Sequence, residues 1–378
     1  MSRIAVVGIG GVGSMAAWRL AQAGHKVVGL EQFLVDHDRG SSYGDSRIVR
    51  RVYPDALYTS LMAESYALWD ELIASAPAEE LLVRAGGLFF GPADHPDVQA
   101  AGQALEQSGV PFETLDAREC GKRYPAFRLQ PHEVALLEPT MGFARASRCV
   151  RAATRLARAL GAEIREECPV AGIESARAGV CVITDAGERI EADGLVVCVG
   201  PWAAPLLRSL GLDLPLTVTR QAYVHLQPAS HPEAFTVRNF PTWIDAGTNH
   251  YGFPILGGLP GVKLASHDRG IATLPETVDR TVTEADKDLC RAYARERFPW
   301  LGPEVVYAKI CLYTNTPDEH FVIDRIPGLS NSVVIGGLSG HGFKFTPLLG
   351  QIAADLVTGR PIPHDLSRFR AGRLRGAE

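Results

Sequence analysis

Apolar positions near the start of the chain fall in short, unbroken runs. Ile4-Ala5-Val6-Val7 ends at Gly8 and predicts a buried parallel strand. Met15 to Ala23 has a helix-compatible pattern, which Gly24 stops. Lys26 to Leu30 predicts a second strand, ending at Glu31. Strand, glycine turn, helix, strand and acid follow one another in the order of a complete βαβ unit. Gly8 permits its tight turn, Gly10 lets backbone approach a pyrophosphate, and Gly13 lets helix and strand pack closely. The helix N-terminus would face the phosphates, and Glu31 could accept a hydrogen bond from a ribose hydroxyl. The unit predicts a dinucleotide site, which either FAD or NAD could occupy.

Later segments divide into two styles. Arg148 to Leu160 has helical periodicity, with Val150, Ala153, Leu156, Ala157 and Leu160 on one side. Val180-Cys181-Val182-Ile183-Thr184 and Leu195-Val196-Val197-Cys198-Val199 read as further sheet elements of the nucleotide domain. So does Val333-Val334-Ile335, which a glycine-rich loop follows. Thr346 is expected as an N-cap with Pro347 at the first helical position. Leu348, Leu349, Ile352, Ala353, Leu356 and Val357 then make one apolar face, and Gly359 ends the helix. Residues 81–140 and 216–310 are instead richer in proline, aromatic residues and short alternating runs such as Ala222-Tyr223-Val224-His225-Leu226. The expected fold class is α/β with α+β character, a Rossmann-like nucleotide-binding domain with an inserted antiparallel-sheet substrate domain. Residues 1–80, 141–215 and 311–378 form the first, and 81–140 with 216–310 the second.

Composition narrows the partners. A net charge of -5 gives no global attraction to nucleic acid or to an anionic membrane. The seven cysteines are odd in number and none are close enough for a zinc or redox pair, so reduced thiols in a cytoplasm are expected. Histidines and cysteines show no metal-ligand spacing. Ile4 to Trp18 is uncharged, but at 15 residues it is shorter than a span of roughly 18 apolar residues, and glycines interrupt it. Neither a signal peptide nor a membrane anchor is expected.

Chemistry enters with five further segments. They are Gly44-Asp45-Ser46-Arg47-Ile48-Val49-Arg50, Tyr251-Gly252-Phe253-Pro254, Lys263, Lys309-Ile310-Cys311-Leu312-Tyr313, and Gly340-His341-Gly342-Phe343-Lys344-Phe345. Across nearly its whole length the chain resembles the monomeric sarcosine oxidase group. That group includes N-methyltryptophan and pipecolate oxidases and lies within the D-amino-acid-oxidase-like flavoproteins. The Cys311 segment and the C-terminal glycine loop carry the resemblance most specifically.

The resemblance implies FAD, linked through its 8α-methyl carbon to the sulfur of Cys311. It implies hydride removal from the carbon beside a secondary amine, imine hydrolysis, and electron transfer to O2 with formation of hydrogen peroxide. It also implies a monomer that acts on a small carboxylated amine. Cofactor contacts would come from Gly8, Gly10, Gly13, Glu31, Ser41, Arg47, Val170, Gly200, Trp202, Gly340, Gly342 and Lys344. Arg50 and Lys344 match a carboxylate clamp, a role that suits a guanidinium fork beside a point charge. Alone, the cluster Arg47, Arg50 and Arg51 would read as solvated surface. Tyr251 and Tyr313 match residues lining the substrate cavity, and Lys263 matches a lysine that activates oxygen electrostatically. Arg47 matches a basic residue beside the flavin ring on the face away from substrate. His267 is a candidate substrate contact, whereas His320 and His341 carry no assigned role.

Two departures bear on the substrate. Tyr43 stands where the sarcosine oxidases carry a histidine, and a residue is added between Gly258 and Lys263, giving Leu259-Pro260-Gly261-Val262. A larger N-substituted glycine, a cyclic imino acid or a specialised metabolic intermediate therefore fits alongside sarcosine. The main alternative is a flavin amino-acid dehydrogenase that passes electrons to a quinone or carrier, or an oxidase of a primary or cyclic amino acid. A nicotinamide-dependent dehydrogenase and a non-catalytic flavoprotein fit fewer of these residues.

Overall fold

The computed structural model describes residues 1–268 and 270–374. Strand β1 (Arg3–Val7), helix α1 (Gly11–Gln22) and strand β2 (Lys26–Leu30) form the expected βαβ unit, with β1 and β2 parallel. Helix α1 starts earlier than its apolar periodicity suggested, because Gly11 to Ser14 are already helical. Gly13 lies where a Cβ would fall 1.8 Å from the Gly8 carbonyl oxygen, so helix and strand touch backbone to backbone. That oxygen cannot swing aside as a side chain would. Gly13→Ala is expected to cost about 1–3 kcal/mol or more through overpacking. It should lower both Tm and the flavin-to-protein absorbance ratio, and unchanged values would mean that this turn yields freely.

The main sheet runs Val322–Arg325, Ser332–Gly336, Gly194–Val197, β1, β2, Glu163–Arg165 and is parallel except at the Val322–Arg325 edge. Both faces of β1 are buried. Ile4 and Val6 pack toward α1 and the Thr346–Thr358 helix, while Ala5 and Val7 pack with Val180, Val182 and Ile190. An unbroken apolar run is the consequence of this two-sided burial. Gly350 allows the Thr346–Thr358 helix to approach α1 closely, since a Cβ there would stand 2.5 Å from Met15 Cβ.

Two local expectations change. Val180–Thr184 is not part of the main sheet. It pairs with Val170–Ala176 and Arg189–Ala192 in a separate three-stranded antiparallel sheet that covers the main one. Its apolar run is buried for the same reason as β1, and periodicity cannot tell which sheet a strand joins. Thr346 is the first helical residue and not an N-cap. The short turn Phe343–Phe345 already has helical dihedrals, so no extended cap residue precedes Thr346 and its hydroxyl makes no capping bond.

A nine-stranded sheet occupies the other half of the molecule. Its pairings are antiparallel except where Thr242–Asp245 runs parallel to Gly87–Pro92, joining the two separate stretches of chain. The long strand Leu301–Asn315 pairs with Thr217–Pro228 along its length, so the 310/311 division falls inside a strand of this sheet. At its centre, buried Arg297 donates to Glu133 at 2.6 and 2.8 Å and to Asp245 at 3.0 Å. Asp245 also accepts from Tyr293 and from the Gly247 amide. This charge-assisted network anchors the turn that leads into Tyr251.

Candidate active site

A cavity of about 470 Å³ begins at the β1–α1 turn and ends at the Leu301–Asn315 strand. Gly8, Gly10, Glu31, Ser41, Val170, Gly200 and Trp202 line it toward the nucleotide end and walls. Arg47, Cys311, Gly340 and Gly342 line it toward the other end. Gly13 stands behind, at the helix–strand contact. Glu31 accepts from the Ile9 amide at 2.8 Å and the Phe33 amide at 3.2 Å, which holds its carboxylate at the end of β2. Ser41 donates to the Leu312 carbonyl at 2.6 Å, tying this wall to the Cys311 strand.

These residues fit FAD. A helix N-terminus with side-chain-free turn positions and an acid suits the adenosine diphosphate half. At the far end stand a cationic guanidinium, a thiol and a second glycine loop. Gly340 belongs there for a steric reason: its φ is +74°, and a Cβ would lie 2.4 Å from the Tyr313 ring.

A second cavity, of about 180 Å³, adjoins the first. Arg47, Cys311, Tyr313, Gly340 and Phe343 line both, whereas Arg50, Tyr251, Lys263, His267 and Lys344 line only the second. Cys311 and Tyr313 share a face because side chains alternate along a strand. Tyr313 hydroxyl lies 3.4 Å from Tyr251 hydroxyl and 3.3 Å from His267 Nδ1, which makes one polar aromatic corner.

Arg47 spends its guanidinium on the carbonyls of Ser46, Ser41 and Tyr43. Arg50 does not. Its Nε and Nη1 are buried without a hydrogen-bond partner among the described residues, and the side chain lines the second cavity. Glu138, fully buried, accepts from the Arg51 amide at 2.7 Å and the Val52 amide at 3.1 Å and so fixes the backbone beside Arg50. Lys344 donates to Tyr53 hydroxyl at 2.8 Å and to its own turn at the His341 carbonyl, 2.6 Å away. Burial, and then the Arg50 charge, hold its proton affinity well below the ordinary lysine range.

Lys263 is almost fully buried and donates to Ser46 hydroxyl at 2.9 Å. Its ammonium sits 4.1 Å from the centre of the Tyr223 ring. Burial first, and then Arg47, lower its pKa to about 7. Burial, Lys344 and Arg50 push His267 down to about 4, so it is a neutral imidazole near pH 7. Burial raises the Cys311 thiol, while Arg47 and Lys263 oppose that rise.

Tyr43 is not among the lining residues. Its ring lies under Lys309, 4.0 Å from the ammonium, and its carbonyl holds Arg47. The added Pro260 presents its carbonyl to His225 Nδ1 at 3.0 Å, and His225 pairs across the sheet with Lys263. Tyr223, His225 and Tyr53 received no role from the sequence. Alternation along Ala222–Leu226 could have placed Tyr223 and His225 on one face. No local pattern marks Tyr53.

With this geometry in view, comparison with known proteins is specific. Residues 3–356 match the family described as FAD dependent oxidoreductase. The chain is 39% identical to the monomeric sarcosine oxidase of Streptomyces avermitilis over 380 residues, which is 99% of this chain and 98% of the relative. It is 32% identical to N-methyl-L-tryptophan oxidase of Escherichia coli, covering 98% of each. Among solved structures it is similar to NikD, an unusual amino acid oxidase essential for nikkomycin biosynthesis. The TM-score is 0.86 at 26% identity, covering 98% of this chain and 97% of that one. Among the described residues no helix is long and apolar enough to cross a membrane. The chain belongs to the FAD dependent oxidoreductase family, and within it is a sarcosine-oxidase-like amine oxidase acting on CH–NH donors.

Proposed function

We propose that the enzyme oxidises the secondary amine of an N-substituted amino acid and returns the electrons to O2. The observation that carries this reading is the buried Arg50 guanidinium, with Nε and Nη1 unpartnered, beside Lys344 in a cavity that meets the FAD cavity at Cys311. Two cations facing one small cavity call for an anion, and a carboxylate matches a guanidinium fork. Bound FAD supplies the acceptor for the hydride that leaves the carbon beside the amine.

The chain's own residues do the rest. Arg50 and Lys344 hold the carboxylate, which fixes where the amine-bearing carbon points. Tyr251, Tyr313 and Phe89 wall in the remainder and exclude water. Neutral His267 leaves the amine without a competing cation beside it. Lys263, on the side of Ser46 and Tyr223, offers positive charge to oxygen as it takes up electrons. The imine product hydrolyses in water. Cys311 lines both cavities and supplies the thiol for covalent attachment of the flavin.

Cys311→Ala separates the covalent reading from a merely buried thiol. Acid precipitation should leave yellow colour in the wild-type pellet and release it from the variant. Colour in the wild-type supernatant would refute the linkage. The test of the whole reading is anaerobic bleaching of the bound flavin by a panel of secondary, cyclic and primary amino acids, followed by air. Bleaching by N-alkyl amino acids with fast recovery supports the proposal. Slow recovery in air favours a dehydrogenase, and no bleaching by any carboxylated amine overturns the substrate class.

A further inference from the structure

Tyr53 does not line the substrate cavity, yet it touches both cations of the clamp. The Arg50 guanidinium carbon stands 4.2 Å from the centre of the Tyr53 ring, and Lys344 Nζ donates to its hydroxyl at 2.8 Å. The hydroxyl in turn lies 3.3 Å from His341 Nδ1. His341 Nε2 lies 3.0 Å from the Glu319 carbonyl, which can only accept. That contact assigns the hydrogen to Nε2 and leaves Nδ1 as an acceptor. The directions then follow without ambiguity: the Lys344 ammonium donates to Tyr53, Tyr53 donates to His341, and His341 donates to the surface loop.

We infer that Tyr53 is a positioning residue of the carboxylate site, its hydroxyl held by His341 so that its oxygen lone pairs face Lys344. This rests on the proposed carboxylate clamp. The hydroxyl accepts from the charged lysine and so favours the ammonium in surroundings that otherwise oppose it. Arg50, His267 and His341 are the titratable neighbours whose electrostatics couple to Lys344. Tyr58 stacks on Tyr53 at 5.2 Å from the opposite side, with its hydroxyl 2.9 Å from His320 Nδ1. Asp97 and Glu138 act on Arg50, with Tyr53 the larger influence there. Lys344 Nζ donates to the neutral Tyr53 hydroxyl and to the His341 carbonyl, so the hydroxyl is the side-chain acceptor given to it among the described residues.

The sign follows from the bond. Removing the hydroxyl destabilises the ammonium, so Lys344 loses its proton at a lower pH and carboxylate affinity is lost at a lower pH. The experiment titrates propionate, which cannot be oxidised as an amine, into the holoenzyme and reads the flavin absorbance change across pH. Tyr53→Phe keeps the ring under Arg50. It is expected to weaken propionate about tenfold, as loss of one hydrogen bond to a charged group does. It should also move the alkaline loss of affinity to lower pH, and His341→Ala should do the same to a smaller extent. The reoxidation rate should stay near wild type, so the loss falls on the half-reaction that uses the clamp and spares the one that uses oxygen. A Tyr53→Phe variant with wild-type propionate affinity and pH profile would overturn the inference. Failure of the wild type itself to bind propionate would instead overturn the clamp.

Discussion

Replacing Arg50 with alanine should lower kcat/KM for a carboxylated amine by about a hundredfold. Truncating one member of a buried, hydrogen-bonded charge pair costs roughly 2–5 kcal/mol, and about 3 kcal/mol corresponds to two decades. The loss should divide between weaker binding and slower reduction. In the proposed clamp Arg50 both holds the carboxylate and sets the direction of the reacting carbon, and misplacement alone lowers the rate. Arg50→Lys should recover only part of it, because an ammonium cannot reproduce the guanidinium fork. Stopped-flow reduction under anaerobic conditions reads both effects. An amine without a carboxylate should be a poor substrate for the wild type and indifferent to the substitution. Unchanged reduction kinetics with a carboxylated amine would remove Arg50 from the site.

Lys263→Met is expected to leave reduction near normal and to slow reoxidation by about 10²–10³-fold. That is the usual cost of losing one preorganised electrostatic contact. Methionine fills similar volume against Tyr223 and Phe253, so the cavity wall is kept while the charge goes. The wild type should show a pH dependence that the variant lacks. Burial and Arg47 place the Lys263 pKa at about 7. Below that value the side chain is a cation and supports oxygen reduction; as pH rises through it the charge disappears and reoxidation slows. Mixing reduced enzyme with oxygenated buffer across this range gives the profile. A flat wild-type profile, or a variant that reoxidises at the normal rate, would return Lys263 to a structural role.

On the proposed reading, the two substitutions separate the half-reactions: Arg50 and Lys344 act where substrate gives up electrons, and Lys263 where oxygen takes them. Tyr313, Tyr251 and His267 form a polar aromatic corner of the same cavity. A variant at either pole that disturbed both half-reactions equally would point to a general change in the cavity and not to the loss of one charge.

Much of this was legible in the residues alone. The βαβ unit could be read because its constraints are local: strand, turn and helix follow from runs, glycines and spacing within thirty or so neighbouring positions. The same holds for the apolar face from Leu348 to Val357 and its termination at Gly359, whose φ of +73° suits glycine. Thr346 shows where local reading ends. Its sequence looks like a cap, but the preceding turn is already helical, and only the geometry of Gly342 to Phe345 determines that.

The chain by itself determined which chemical groups are present and which short segments hold them: a nucleotide turn, a cluster of arginines, a cysteine segment and a glycine loop with a lysine. Tertiary structure decided which of them meet. Arg50, the Lys263–His267 stretch, Tyr313 and Lys344 lie far apart in sequence and converge because the large sheet and the glycine loop close on one cavity. It also decided their charge states, since burial among these neighbours lowers Lys263 to about 7 and His267 to about 4. Tyr53 acquires its part in the same way. Its hydroxyl acquires that part because folding sets a lysine on one side of it and a histidine on the other.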